Sequence, residues 1–105
     1  MLDTSEKNQV YRGDRTIDGI MVTVDGEPLD KRYDIHQFTA LGFEWTYLGD
    51  SPQQLALAML AHHLEDDQKA LELSESFMRE IIANLDNEWE MTSSDIDAAL
   101  ASIAK

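Results

Sequence analysis

The amino-acid sequence predicts an α+β domain, in which a small antiparallel sheet of about three or four strands is followed by three α-helices packed on it. Apolar residues alternate with polar ones early in the chain, and they recur every three or four residues later on. The chain has 105 residues, of which 43% are hydrophobic, enough for the core of one domain. We expect a flexible N-terminus over residues 1–8 and a single domain over residues 9–105.

The strands are predicted near the start of the chain. Residues 10–13 are a short candidate, and residues 17–24 alternate between two faces. One face would carry Ile20, Val22 and Val24, and the other would carry Met21 and Thr23. The pairs at residues 18–19 and 25–26, Asp-Gly in both cases, would then form the turns of a three-stranded meander over residues 9–33.

A further strand is predicted where three aromatic residues alternate, at Phe43, Trp45 and Tyr47. A strand packed on the helices would explain this aromatic face. Glu44 would then point away from the rings, towards solvent.

The first helix is predicted to begin after a glycine-containing loop. Pro52 suits the first helical position, Ser51 is the predicted N-cap, and Gln54 would complete a capping box. The helix should continue to about residue 64. It is apolar on almost every side, so we expect it to be the buried central helix.

The second helix is predicted from residue 66 or 67 to about residue 85, with one stripe directed to the core. The stripe contains Ala70, Leu71, Ser74, Phe77, Met78, Ile81, Ile82 and Leu85. Glu75 and Arg79 form a favourable i,i+4 pair on the solvent side. A short extended link over residues 87–91 should place Trp89 on the core.

The third helix is predicted to begin at residue 92, 93 or 94, each of which is a Thr or Ser suited to capping. Its apolar stripe would contain Ile96, Ala99, Leu100 and Ile103.

The central segment, residues 43–60, reads F-E-W-T-Y-L-G-D-S-P-Q-Q-L-A-L-A-M-L. It resembles a family of small domains of unknown function from bacteria, haloarchaea and their phages, in which an aromatic F-x-W strand leads through a glycine-rich loop into a Q-L-A-L-A-L-L helix. The matching residues are Phe43, Trp45, Tyr47, Gly49, Pro52, Gln54, Leu55, Ala56, Leu57 and Ala58. Three other segments also look like the family: residues 11–13 (Y-x-G), 22–29 (V-x-V-D-G-x-P-L) and 89–92 (W-x-M-T).

This chain departs from the family pattern in its loop. Leu48 and Ser51 stand in place of two glycines, Asp50 in place of a serine, and Thr46 precedes Tyr47. The resemblance implies the fold and a mobile-element setting. It implies no activity and carries over no catalytic residues.

Charge restricts the partners of this chain. Eight Lys and Arg stand against 21 Asp and Glu, for a formal net charge of −13. Direct binding to nucleic acid or to an anionic membrane is not expected, because both require clustered Lys and Arg. The natural complement is a basic protein surface, although excess carboxylate also serves solubility.

Other features bear on location. The chain has no cysteine, no apolar run near the roughly 20 residues of a membrane span, and no signal-peptide pattern at its start. We therefore expect a soluble cytoplasmic protein, either a monomer or a homodimer.

No metal, cofactor or catalytic site is predicted. His62 and Asp66 could share a helix face, and His36 could join them through the fold, but two ligands at this spacing do not make a site. Histidines also suit the C-terminal end of a helix. A nucleophile, a base and an orienting group cannot be assembled from the sequence, so we expect a non-enzymatic domain.

Two candidate sites follow. The proposed partner-binding residues are Glu65, Asp66, Asp67, Glu72, Glu75 and Glu80, whose carboxylates could imitate a phosphate backbone or could simply form a solvated helix face. The alternative is a small-ligand or nucleotide site, because a loop before a helix can hold phosphate on backbone N–H groups. Its residues would be Trp45, Tyr47, Gly49, Asp50 and Ser51. The carboxylate of Asp50 opposes this use, and no P-loop lysine follows.

The sequence therefore favours a non-enzymatic, acidic protein-interaction domain of phage or mobile-element origin. It would bind a basic host protein, such as a nucleic-acid-handling or CRISPR-type defence complex, and inhibition of that complex would fit. The alternatives are the ligand-binding domain and an uncharacterised structural or accessory homodimer.

Overall fold

The computed structural model describes residues 8–103 and contains one sheet and three α-helices in that range. The elements are β1 (Val10–Thr16), β2 (Gly19–Val24), β3 (Glu27–Pro28), α1 (Asp50–Leu64), α2 (Asp67–Glu80), a 3₁₀ turn (Ile82–Asn84), β4 (Trp89–Thr92) and α3 (Ser93–Ile103). The predicted α+β fold is confirmed. The N-terminus predicted to be flexible lies outside the described residues, apart from Asn8.

The strands pair antiparallel in the order β3-β2-β1-β4. The first three form the predicted meander. Asp25 and Gly26, at its second turn, have φ angles of 50° and 86°, as a two-residue hairpin turn of this kind requires. The Asp25 carboxylate also accepts a hydrogen bond from the backbone N–H of Val10 at 2.9 Å. The face of β2 directed to the core carries Ile20, Val22 and Val24, as predicted.

The fourth strand comes from the distant part of the chain. β4 pairs with β1 so that Tyr11 lies opposite Met91 and Gly13 lies opposite Trp89. The extended link predicted for residues 87–91 thus contains this strand, between α2 and α3. The strand predicted at Phe43–Tyr47 is wrong, because that segment belongs to no sheet.

The aromatic segment fails to form a strand because its backbone turns at Thr46, whose φ is 82°. The N–H of Thr46 donates to the carbonyl of Ile82 at 3.1 Å, so it bonds the 3₁₀ turn and not another strand. Phe43 and Trp45 are buried, whereas Tyr47 is 48% exposed. The alternating aromatic residues therefore do not form one face of a strand. Two of the three rings are buried and the third is exposed.

The start of α1 also differs from the prediction. Gly49 occupies the cap position and no side chain caps the helix, so the predicted Ser51 cap and its box with Gln54 are wrong. Ser51 lies inside the first turn, and its hydroxyl donates to the hydroxyl of Thr39 at 3.1 Å. Both predicted capping side chains are instead used by the loop before α1, where buried polar groups need partners.

α2 begins close to the predicted residue. Asp66 is its N-cap and accepts a hydrogen bond from the backbone N–H of Lys69 at 3.1 Å. The helix ends at Glu80, earlier than the predicted end near residue 85, and the 3₁₀ turn then carries Ile82 into the core.

α3 begins directly after β4, as predicted. The Thr92 hydroxyl accepts a hydrogen bond from the N–H of Asp95 at 3.1 Å, and the Asp95 carboxylate accepts one from the N–H of Thr92 at 2.9 Å. This reciprocal pair is a capping box. Ser93 also bonds the start of the chain, since its hydroxyl accepts from the N–H of Gln9 at 3.0 Å.

The core is built around α1, in which every residue from 54 to 61 is buried. α2 and the 3₁₀ turn pack against it, and Tyr11 from β1 reaches its last turn. Trp45 and Trp89 meet edge to face, with ring centroids 5.8 Å apart. The central-helix prediction is confirmed.

The close approach of Trp89 to β1 gives the first testable prediction. A Cβ added at Gly13 would lie 2.3 Å from Nε1 of Trp89. Gly13→Ala should therefore lower the free energy of unfolding by about 1–3 kcal/mol, the cost of overpacking a core. Urea unfolding measures this change. Trp89→Leu should relieve the clash, so that the double variant loses less than the sum of the single losses. Additive losses would contradict the assignment.

Candidate interaction surfaces

The six candidate partner-binding acids are all exposed, but three of them have structural roles. Glu65 adopts the left-handed conformation, with φ 55°, that ends α1, and Asp66 caps α2. The carboxylate of Asp67 accepts a hydrogen bond from Arg32 at 3.1 Å. The cluster at residues 65–67 thus stabilises the junction between two helices.

The other three acids lie on the outer face of α2, which we define as Glu72, Glu75 and Glu80. Glu75 accepts a hydrogen bond from Arg79 at 3.1 Å, as the i,i+4 spacing predicts. Glu72 accepts a long bond from Gln68 at 3.4 Å. Among the ion pairs of residues 8–103, neither Glu72 nor Glu80 has a basic partner.

Four arginines are held by carboxylates of the same chain. The pairs are Arg12–Glu90, Arg15–Glu44, Arg32–Asp34, Arg32–Asp67 and Arg79–Glu75, with N···O distances of 2.7–3.1 Å. Glu44 is therefore half-buried against Arg15 and does not point freely to solvent, which corrects that expectation. The hydrogen bond from Arg32 holds the pKa of Asp34 below its usual range.

Two of the five residues of the alternative ligand site, Trp45 and Ser51, have buried side chains. Trp45 is fully buried, donates its indole N–H to the carbonyl of Asn87 at 3.1 Å, and is covered by the Arg15 guanidinium 4.6 Å from the ring centroid. It therefore offers no stacking face. Ser51 is also buried, while Asp50 is exposed in the first turn of α1.

The histidines predicted at the end of α1 contact other elements. His62 Nδ1 is hydrogen-bonded to the Tyr11 hydroxyl at 2.7 Å, and His63 Nε2 lies 2.6 Å from the Asp97 carboxylate on α3. Within residues 8–103, no group of three His, Asp or Glu side chains is placed to hold a metal ion.

Gln54 supports the loop that precedes α1. Its carbonyl oxygen accepts a hydrogen bond from the N–H of Phe38 at 2.7 Å. Its amide N–H groups donate to the carbonyls of Lys31 at 2.8 Å and His36 at 3.0 Å. One buried side chain thus fixes three backbone positions of a loop that has no regular structure.

A groove of about 570 Å³ runs along the outer edge of β2, and the sequence did not predict it. Its walls include β2 from Gly19 to Val22 and the segment at residues 41–44. Two apolar side chains at the groove are exposed, Met21 (54%) and Leu41 (86%). The sequence did offer one indication of this groove. Met21 is an apolar residue on the face of β2 that does not point to the core.

The fold defines the class of protein: a small α+β domain with one antiparallel sheet around a buried helix. The chain belongs to DUF6166, a family of unknown function, whose sequence model matches residues 11–102. Comparisons with curated proteins and with solved structures give no match. In the part of the chain that the structure describes, no helix is long and apolar enough to cross a bilayer.

The buried Tyr11 predicts an alkaline loss of stability. Burial raises the pKa of Tyr11 above its usual 10.0, and the nearby charge of Asp25 raises it further. Above about pH 10 the unfolded chain loses this proton while the folded chain keeps it, so stability falls by up to about 1.4 kcal/mol per pH unit. Urea unfolding between about pH 8 and pH 11 measures the slope. Tyr11→Phe should reduce it, whereas Tyr47→Phe should keep it, and equal slopes in all three proteins would refute the prediction.

The Gln54 contacts predict a local and a global effect. Gln54→Leu leaves three backbone groups without their partner and should cost at least about 2 kcal/mol, with faster amide hydrogen exchange at Phe38. Gln53→Leu is the matched control, because Gln53 donates one side-chain bond, to Ser74 at 3.1 Å. It should cost less than about 1.5 kcal/mol and leave Phe38 protected. Equal losses in the two variants would argue against this role.

Proposed function

We propose that this domain acts without catalysis, by binding a basic surface of another protein through the outer face of α2. The observation that carries the proposal is the exposure of Glu72, Glu75 and Glu80 on one helix, while four arginines are held in internal ion pairs. With a net charge of −13, such a chain presents mainly carboxylates to an approaching molecule. This favours fast association with a positive partner.

The proposed partner is a host protein whose basic surface normally holds nucleic acid. Carboxylates spaced along a helix can occupy such a surface, because both ligands present a row of negative charges. A nucleic-acid-handling protein or a CRISPR-type defence complex has a surface of this kind, and occupying it would inhibit the complex. A phage or other mobile element gains from that inhibition, so we propose this origin and a cytoplasmic site of action.

The homodimer alternative lacks a specific supporting surface on α3. The exposed large apolar side chains of residues 8–103 are Ile17, Met21, Leu41, Tyr47 and Leu48, and none lies on that helix. The nucleotide alternative is weakened by the burial of Trp45.

Charge reversal on α2 tests the proposal. Glu72→Lys/Glu80→Lys should lose the basic proteins that the wild-type chain retains from a host lysate at low salt. Asp86→Lys/Glu88→Lys is the matched control, since these residues are exposed, lie outside α2 and change the net charge equally. It should retain the same proteins as wild type. Quantitative mass spectrometry at low and high salt measures both.

Two results would reject the α2 surface. One is retention of the same basic proteins by the α2 variant and by wild type. The other is a blank for wild type at low salt, because a surface of this charge should capture a positive partner when screening is weak.

A further inference from the structure

We infer that the open edge of β2 is a second binding site, which takes an extended, basic segment of a partner protein as an added strand. The site shares no residue with the outer face of α2. The inference therefore does not depend on the proposed function of that helix.

The outer edge of β2 has unpaired backbone groups. Leu29 donates its N–H to the carbonyl of Val22 at 3.0 Å, so Val22 directs its backbone groups to the outer edge. Ile20, two residues earlier, directs its N–H and C=O to the same edge, because these groups alternate along a strand. At this edge, the N–H and C=O of Ile20 and the N–H of Val22 have no hydrogen-bond partner within residues 8–103. Three backbone groups thus remain open to an incoming strand.

β2 itself carries no residue that protects its free edge, although Pro28, Lys31 and residues 41–44 line the groove beside it. Proteins blunt free edges with lysine, proline, bulges or a covering segment. β3 covers only the last two residues of β2, and the remaining residues are Gly19, Ile20, Met21 and Val22. A four-residue strand spans about 13 Å, a length that suits an added peptide strand of similar size.

The groove beside β2 offers apolar side chains for a segment to pack against. Leu29 and Phe43 are buried within its lining, while Met21 and Leu41 remain exposed beside it. An extended segment laid along β2 would cover Met21 and Leu41, so apolar side chains at the centre of the segment have places to pack. Main-chain bonds and side-chain contacts together are how strand addition binds peptides.

Charge decides the occupant. Two carboxylates flank the open part of the edge and form no ion pair within the described residues. They are Asp18, in the turn before β2, and Glu27 on β3. Lys31 also lines the groove, midway between these carboxylates and with its ammonium 5.7 Å from the centroid of the Phe43 ring, so the positive charges of a partner segment belong at its ends. A segment with Lys or Arg at its ends therefore fits, whereas a second copy of a chain with charge −13 would be repelled.

The test is a titration of the ¹⁵N-labelled full chain with the capped peptide Lys-Arg-Val-Thr-Val-Thr-Val-Arg-Lys, followed by NMR. We expect saturable shifts at residues 19–22, 29 and 41–44, slower amide exchange at Ile20 and Val22, and a Kd below about 1 mM. The same peptide with N-methylated valines keeps the charge but loses backbone donors. It should bind at least about tenfold more weakly.

Two surface variants distinguish binding in the groove from non-specific binding to exposed apolar side chains. Leu41→Ser should weaken peptide binding about fivefold or more, because it removes an exposed side chain at the groove. Leu48→Ser is the matched control, since Leu48 is 56% exposed and does not line this groove. It should bind like wild type. Glu72→Lys/Glu80→Lys should also bind like wild type, which keeps this result apart from the test of α2.

Four outcomes would overturn the inference. They are no shifts at about 2 mM peptide, shifts confined to α2, equal binding of the N-methylated peptide, and a dimer that forms through residues 19–22 without peptide. The last outcome, detected by sedimentation and concentration-dependent shifts, would assign the edge to a second copy instead.

Discussion

The structure depends on one constraint, that a helix apolar on nearly every side has to be covered on every side. All of residues 54–61 in α1 are buried, so the sheet, α2, the 3₁₀ turn and the loop before α1 are arranged around it. Gln54 is the one polar side chain among these eight buried residues. Its three hydrogen bonds fix backbone groups of the preceding loop, which form no helix or strand bonds of their own.

The same constraint separates the charged groups into two kinds. Some arginines lie close to the core. Arg15, for example, packs on the Trp45 ring, and its charge is neutralised by an ion pair with Glu44. Carboxylates far from the core, such as Glu72 and Glu80, are exposed and form no ion pair with the other described residues. The excess negative charge is thus carried by the periphery, where it costs the fold little and determines which molecules approach.

The elements with strong periodic patterns were predictable, and those that depend on distant partners were not. Apolar spacing located α2 and α3, a helix-start signal before a nearly continuous apolar run located α1, and the Asp25-Gly26 pair located a hairpin turn. Thr46, by contrast, bonds Ile82, so the end of the aromatic segment is decided by a residue far along the chain. Ser51 and Gln54 match a capping pattern, but both side chains form hydrogen bonds with the preceding loop instead of capping α1.

The candidate surfaces show the same division. Sequence could place six acids near one another, but only the structure shows that Glu65, Asp66 and Asp67 serve the helix junction. The groove beside β2 could not be predicted, because it results from a missing neighbour: β3 pairs with only two residues of β2. A pattern in one strand carries no information about how long its partner is.

The placement of β1 between β2 and β4 has a consequence for how the chain is made. Asn8 accepts a hydrogen bond from Ser94, 86 residues later in the chain. Gly13 of β1 is paired with Trp89 of β4, which is also distant in sequence. A nascent chain leaving the ribosome can close the β1–β2 hairpin early, but the fourth strand is made only after α1 and α2. Until then one side of β1 stays open, so the high contact order of this sheet makes the domain complete its folding late.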